Sequence, residues 1–385
     1  MPSSFPSISP NLSSTLLGGL SPQQFMRRHW QKNPLLVRQA VPEIVAPVDR
    51  AELFTLAARN DVESRLVRHG ESGWQLRQGP LPRTALPPSK QPGWTLLVQG
   101  LDLYLPSAHE LLSRFRFVPD ARLDDLMVSY ASDGGGVGPH VDSYDVFLLQ
   151  VQGRRRWRIG RVTDPQLVDG LPLKILRNFV AEQEWLLEPG DMLYLPPGWA
   201  HDGVAVGGDC MTCSIGFRAA TRDEFAREVL QRSLDAAADA ESAAASPLFS
   251  DRGRPAAQSP AQIPLEMQEF AADAVTRLIG DSRALACSLG EWLSEPKPQV
   301  WFDEASPLAP KCGVRLDIRT RMLWDDWHVF INGESFRAAG KDARLMRRLA
   351  DQRVLSAADR DRLGPQAAAL LEEWAVAGWL HAEPD

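Results

Sequence analysis

The chain has 385 residues, 44% hydrophobic and 24% charged, a composition that suits a soluble globular protein of two or three domains. Its net charge of −7 argues against bulk electrostatic binding to nucleic acid and is compatible with a basic protein as partner. No apolar run approaches the roughly 20 residues that span a bilayer, and no signal-peptide pattern opens the chain, so a cytoplasmic protein is expected.

Residues 1 to about 15 are rich in Ser and Pro and read as a loose arm. Ser21 then caps a short helix with Pro22 at its first position, PLLVRQA follows as a buried strand, and residues 50–59 read as helical. SRLVRH, GWQLRQG and TLLVQGLDLY are strand candidates, and PSAHELLSRFRFVP is an amphipathic helix. From Asp124 the pattern turns to short strands: LMVSYA, YDVFLLQVQG, RRRWRIGR, EWLLEPGDMLYLPP, DGVAVGG and CMTCSIGFRA, with Gly, Pro and Asp turns between them. That spacing predicts a β-sandwich or barrel. Cys210 and Cys213 spell C-x-x-C, but i and i+3 face opposite ways on a strand and only four cysteines are present, so buried thiols are expected. Three helices follow from Thr221, with a polar stretch over 247–264 between the first two. Beyond Pro296, Asn332-Gly333 between apolar runs marks a hairpin, and three further helical stretches complete a winged-helix-like unit. The expected domains are 1–219, 220–295 and 296–385.

His140 and Asp142 stand two apart, so on a strand both side chains share one face. His201, 61 residues beyond His140, follows a strand and a Pro-Pro-Gly turn. Two histidines and one carboxylate with open coordination positions form the facial triad of non-haem iron(II) oxygenases. The triglycine at 134–136 lacks the Lys-Ser or Lys-Thr of a phosphate loop, which excludes that reading. On a strand Arg155, Trp157 and Ile159 share the face expected to point inward, where an unpaired guanidinium is costly. Either a bound dicarboxylate or an interior acid would satisfy Arg155. Arg154, Arg156 and Arg158 take the other face as a solvated row. Ser129 and Thr212, on apolar strands, are candidate cavity hydroxyls for the same ligand or locally satisfied core groups.

GGGVGPHVDSYDVFLLQVQGRRRWRIG, LEPGDMLYLPPGWAHDG and FMRRHWQKNPLLVRQA resemble the JmjC-type 2-oxoglutarate oxygenases of the cupin superfamily, specifically the bacterial ribosomal oxygenases. The resemblance implies an α+β chain: a double-stranded β-helix, a helical dimerisation segment and a winged helix. It implies iron(II) on His140, Asp142 and His201, 2-oxoglutarate on Arg155, O2 as oxidant, and hydroxylation of an arginine of ribosomal protein L16 by a homodimer. Relatives carry a serine where this chain has Ala131, which leaves Ser129 and Thr212 as substitutes for the second anchor of the co-substrate. Asp133, Asp145 and Asp202 are the acids expected to meet a substrate guanidinium. The competing readings are a histidine hydroxylase or lysine demethylase, a metal-binding cupin without turnover in ribosome assembly, and a DNA-reading C-terminal domain.

Overall fold

The computed structural model describes residues 11–71, 73–241, 247–250, 252, 261–337 and 339–383. The first ten residues of the expected N-terminal arm and half of the polar stretch over 247–264 lie outside the described residues. Helix α1 (Pro22–Arg28) starts where expected: the Ser21 hydroxyl accepts the Gln24 N–H, and the Gln24 side chain accepts the Ser21 N–H in return. After β1 (Leu35–Val37) and α2 (Arg50–Leu56) come β2 (Ser64–Gly70), β3 (Gly73–Gln78), β4 (Trp94–Val98) and α3 (Pro106–Ser113). The barrel strands follow: β5 (Leu123–Ala131), β6 (His140–Val141), β7 (Val146–Arg161), β8 (Gln183–Leu187), β9 (Met192–Leu195) and β10 (Trp199–Phe217).

All pairings in this sheet are antiparallel, in the order β1-β9-β7-β10-β5-β4-β2-β3, with β6 on β10 and β8 on β7. Two breaks expected from the sequence are absent. The runs either side of Gly153 form one strand, as do those either side of Gly207 and Gly208. Gly153, at φ 65°, turns the backbone without leaving the ladder, and β10 answers with register shifts between Val206 and Thr212. Each long strand therefore serves two faces: β7 meets β9 with its first half and β8 with its second, and β10 meets β6 early and β5 late.

Alternation then divides the side chains. Val146, Leu148, Trp157, Ile159, Leu187, Leu193, Leu195 and Trp199 fill one core, the lumen. Phe147, Leu149, Met192, Tyr194, Cys213 and Phe217 pack outward beneath the N-terminal helices, against Phe25 and Trp30. At this outer seam the buried Asp145 accepts the Tyr194 hydroxyl at 2.6 Å and Gln31 Nε2 at 3.2 Å, with Arg122 at 3.4 Å.

Thr221 and Glu224 form the cap that opens α4 (Arg222–Glu241), followed by α5 (Leu265–Ile279) and α6 (Ser282–Ser294). The C-terminal unit holds β11 (Gly313–Leu316), β12 (Met322–Trp324), β13 (His328–Ile331), β14 (Glu334–Arg337), α7 (Gly340–Gln352), β15 (Val354–Leu355), α8 (Ala357–Arg360), α9 (Pro365–Val376) and β16 (Leu380–Glu383). Asn332 and Gly333, at φ 49° and 92°, make the expected two-residue turn between β13 and β14. Its core of Val314, Leu316, Ile331, Leu349, Leu371 and Trp374 is separate from the barrel. Lys297 fastens the two, with Nζ 3.3 Å from Asp124 and 3.2 Å from Asp125, while Arg116 donates to the Ala350 and Asp351 carbonyls. Of the three arginines on α7, Arg347 donates to the Asp325 and Asp326 carbonyls and Arg348 pairs with Asp359. Arg344 and Lys341 are then the basic side chains of α7 without a described partner, too few for a groove-reading helix.

Tyr194→Phe removes a donor to buried Asp145 and the acceptor of the Gln31 N–H. It is predicted to cost about 1–3 kcal/mol of stability, read from urea unfolding at neutral pH. An unchanged midpoint contradicts this assignment.

Candidate metal centre

His140 lies on β6, and the pairing of β6 with β10 sets it opposite His201. Asp142 follows two residues later, and its carbonyl accepts the Gly198 N–H, which ties the two motif loops together. As a result, one ligand atom from each of His140, Asp142 and His201 falls within 4.8 Å of the others. The two imidazole centroids are 4.2 Å apart, and His201 Nε2 is 3.6 Å from Asp142 Oδ2. Among the described residues this is the one such cluster of His, Cys, Asp and Glu.

The imidazoles are oriented from behind. His140 Nδ1 lies 2.9 Å from the Gly138 carbonyl and His201 Nδ1 3.2 Å from the Trp199 carbonyl. A carbonyl only accepts, so each Nδ1 carries a hydrogen and each Nε2 is the ring nitrogen left for the cluster. Burial, then the neighbouring His140, holds His201 well below the usual imidazole range, so it stays neutral. Two imidazoles oriented by backbone acceptors and one carboxylate fit a divalent transition-metal ion that retains open positions.

Cross-strand pairing lays out the lumen wall from this cluster. His201 stands opposite Ile159, Gly203 opposite Trp157, and Ala205 opposite Arg155. Arg155 is 5% exposed, and its Nε and Nη2 have no hydrogen-bond partner. No carboxylate among the described residues lies within ion-pair distance of it, so the interior acid considered from the sequence is not found. The exterior row behaves as expected: Arg156 faces Glu184 at 3.4 Å and Arg158 pairs with Asp202.

Ser129 and Thr212 are cross-strand partners, and Thr212 is in turn opposite Gln150. Thr212 gives its hydroxyl proton to Gln150 Oε1 at 2.8 Å, whereas Ser129 reaches only the Thr212 carbonyl at 3.5 Å. Gln150, fully buried, also donates to the Gln152 carbonyl at 2.8 Å and so organises this wall. Reasoning from the sequence missed it. The available signal was its parity with Val146 and Leu148, a polar residue in the lumen register of an apolar strand. Ala131, Ala205 and Cys210 form a neighbouring patch of small buried side chains.

Two of the three acids nominated for a substrate guanidinium are engaged elsewhere, which corrects that expectation. Asp145 sits in the outer seam under Tyr194, and Asp202 points outward to Arg158 because it alternates with His201. Asp133 stays exposed and accepts the Gly207 N–H at 2.8 Å. The glycines beside it pack closely on the neighbouring strands. A Cβ on Gly135 would lie 2.3 Å from the Trp94 carbonyl oxygen, and one on Gly136 would lie 2.7 Å from that of Gly203. Gly134 and Gly135 exchange backbone hydrogen bonds with Ala205, the partner of Arg155. Close approach of backbone to backbone is what this loop requires of glycine.

The JmjC domain family matches residues 110–225, and the ROXA-like winged helix matches residues 277–381. The chain is 36% identical over 339 residues to the ribosomal protein uL16 3-hydroxylase of Escherichia coli, covering 83% of this chain and 86% of that protein. A probable ribosomal oxygenase of Haemophilus influenzae is 39% identical over 206 residues, 52% of this chain and 50% of its own length. The structure of the E. coli ribosomal oxygenase YcfD in complex with cobalt and 2-oxoglutarate is similar with a TM-score of 0.79 at 30% identity, over 94% of this chain and 98% of that one. The motifs on β6, β7 and β10, the barrel and the winged helix thus agree with one another, and the chain belongs to the JmjC-domain ribosomal oxygenases.

Proposed function

We propose that this chain is an iron(II)- and 2-oxoglutarate-dependent protein hydroxylase acting on an arginine side chain of ribosomal protein uL16 (L16) in the cytoplasm. The carrying observation is Arg155, a buried guanidinium with two unpaired donor nitrogens on the same lumen wall as the His140–Asp142–His201 cluster. A dicarboxylate co-substrate supplies the anion that the protein itself does not. The cobalt and 2-oxoglutarate of the E. coli relative, and its name as a uL16 hydroxylase, support both halves of the reading.

Iron(II), when bound, supplies the redox chemistry by which O2 converts 2-oxoglutarate to succinate and CO2 and a C–H bond to C–OH. The chain's own residues do the rest. His140 and His201 present their Nε2 atoms, Asp142 adds the carboxylate, and Arg155 holds the distal carboxylate of the co-substrate, with Ser129 and Thr212 on the adjoining wall. Gly135 and Gly136 let the loop lie close against the backbone of Trp94 and Gly203, and Asp133 offers an exposed carboxylate for the incoming guanidinium. Orientation of the target carbon is the protein's main contribution to rate.

The division into an oxygenase unit (1–219), a helical dimerisation segment (220–295) and a winged helix (296–385) belongs to the same reading. Phe225, Leu230 and Leu234 on α4 and Leu265, Met267, Val275 and Ile279 on α5 are exposed, an apolar face that a second copy of the chain would cover.

Intact-mass analysis of purified uL16 after incubation with the protein, iron(II), ascorbate and 2-oxoglutarate tests the function. The expected result is a gain of one oxygen, located on an arginine by fragmentation and absent with His140→Ala. Oxygen on a histidine, or loss of a methyl group from lysine, would replace the substrate reading. Unconsumed 2-oxoglutarate in metal-loaded protein would end the enzyme reading. Light scattering on a sizing column is expected to give twice the 42.6 kDa of one chain, and Val275→Glu is expected to halve it. A wild-type protein that runs at the single-chain mass contradicts the dimer.

A further inference from the structure

Arg155 is not the sole buried donor left without an acceptor in the lumen. Trp157, two residues on and 5% exposed, has an indole Nε1–H that is buried and unpartnered. Buried indole N–H groups ordinarily find an acceptor, and this one is orphaned two residues from a guanidinium in the same state, so one anionic ligand would answer both. Three orphaned donor nitrogens, Arg155 Nε, Arg155 Nη2 and Trp157 Nε1, therefore line one wall, with no protein acceptor among the described residues answering them.

The position of Trp157 is as telling as its chemistry. The Arg155 guanidinium carbon lies 5.7 Å from the Trp157 ring centroid, and the ring centroid of His201 lies 5.8 Å from it. Along β7 the order is Ile159 beside His201, then Trp157, then Arg155, a run of about 13 Å at about 3.3 Å per residue. Trp157 thus stands between the metal-binding cluster and the guanidinium. The residue opposite it on β10 is Gly203, where a Cβ would come within 2.5 Å of Cζ3, 2.6 Å of Cη2 and 2.8 Å of Cε3. The benzo edge of the indole is seated over that glycine, so the pyrrole edge, with Nε1, lies on the far side of the ring from β10.

We propose that Trp157 is a co-substrate-binding residue, its indole N–H donating a hydrogen bond to the distal carboxylate of the dicarboxylate held by Arg155. This rests on the 2-oxoglutarate reading above and adds to it a third donor. With Ala131 unable to donate, the indole supplies on β7 an anchor that β5 lacks at that position.

The test is anaerobic binding by calorimetry to cobalt(II)-loaded full-length protein, with 2-oxoglutarate and with 2-oxobutyrate, which chelates identically but has no distal carboxylate. Trp157→Phe keeps the ring and deletes the donor. It is expected to weaken 2-oxoglutarate about tenfold or more and to leave 2-oxobutyrate unchanged. Gly203→Ala, which pushes the ring off its seat, is expected to do the same and serves where Trp157→Phe does not fold. Equal weakening of both ligands would assign Trp157 to packing and overturn the proposal, as would no weakening of either. Wild-type protein that fails to bind 2-oxoglutarate would instead overturn the co-substrate reading itself, whatever the variants do.

Discussion

A positive charge enclosed in the barrel without a negative partner is the constraint on which the site depends. Arg155 reaches the lumen because β7 alternates, and Trp157 on its own strand and Leu187 on β8 flank it there. Removing an ion from water costs several kcal/mol even after relaxation. A fold that tolerates that cost without a protein counter-ion has been shaped around a ligand that carries the charge. The imidazole pair makes the complementary demand at the other end: two ring nitrogens and a carboxylate close together, with the rings oriented from behind by the Gly138 and Trp199 carbonyls. A small molecule satisfying both ends must chelate metal at one terminus and present an anion at the other.

The two long strands provide the spacing between those ends. β7 and β10 run antiparallel from the metal cluster past Gly203 and Trp157 to Ala205 and Arg155, so a single register fixes every distance along the wall. The glycine loop bonds to that same register through Ala205, which ties the loop to the position of the guanidinium. The winged helix is fastened at the start of β5 through Lys297, Asp124 and Asp125. Near that joint Asp102 is pushed up to about 7 by burial and then by Asp125.

Much of this was legible in the sequence because it is local. His140 and Asp142 are two residues apart, the parity of Arg155, Trp157 and Ile159 follows from strand geometry, and the caps at Ser21 and Thr221 and the turn at Asn332-Gly333 each need a few neighbours only. The failures share a cause as well. Gly153 and Gly207 look like strand ends until the partner strand is known to bend with them. Asp145 and Asp202 looked available because their partners, Tyr194 and Arg158, are 49 and 44 residues distant. Strand parity marks Gln150 as inward-facing, but its bond to Thr212 and the orphaned indole nitrogen depend on the surrounding wall, since satisfaction of a buried polar group is a property of its whole environment.

The central claim is that one ligand bridges the metal cluster and Arg155. Crystals grown with cobalt(II) and 2-oxoglutarate under anaerobic conditions, measured at the cobalt edge, address it directly. The account predicts one strong anomalous peak within bonding distance of His140 Nε2, His201 Nε2 and the Asp142 carboxylate, with a dicarboxylate running from it to Arg155. A peak elsewhere, or a filled metal position with Arg155 still lacking an anion, would contradict it.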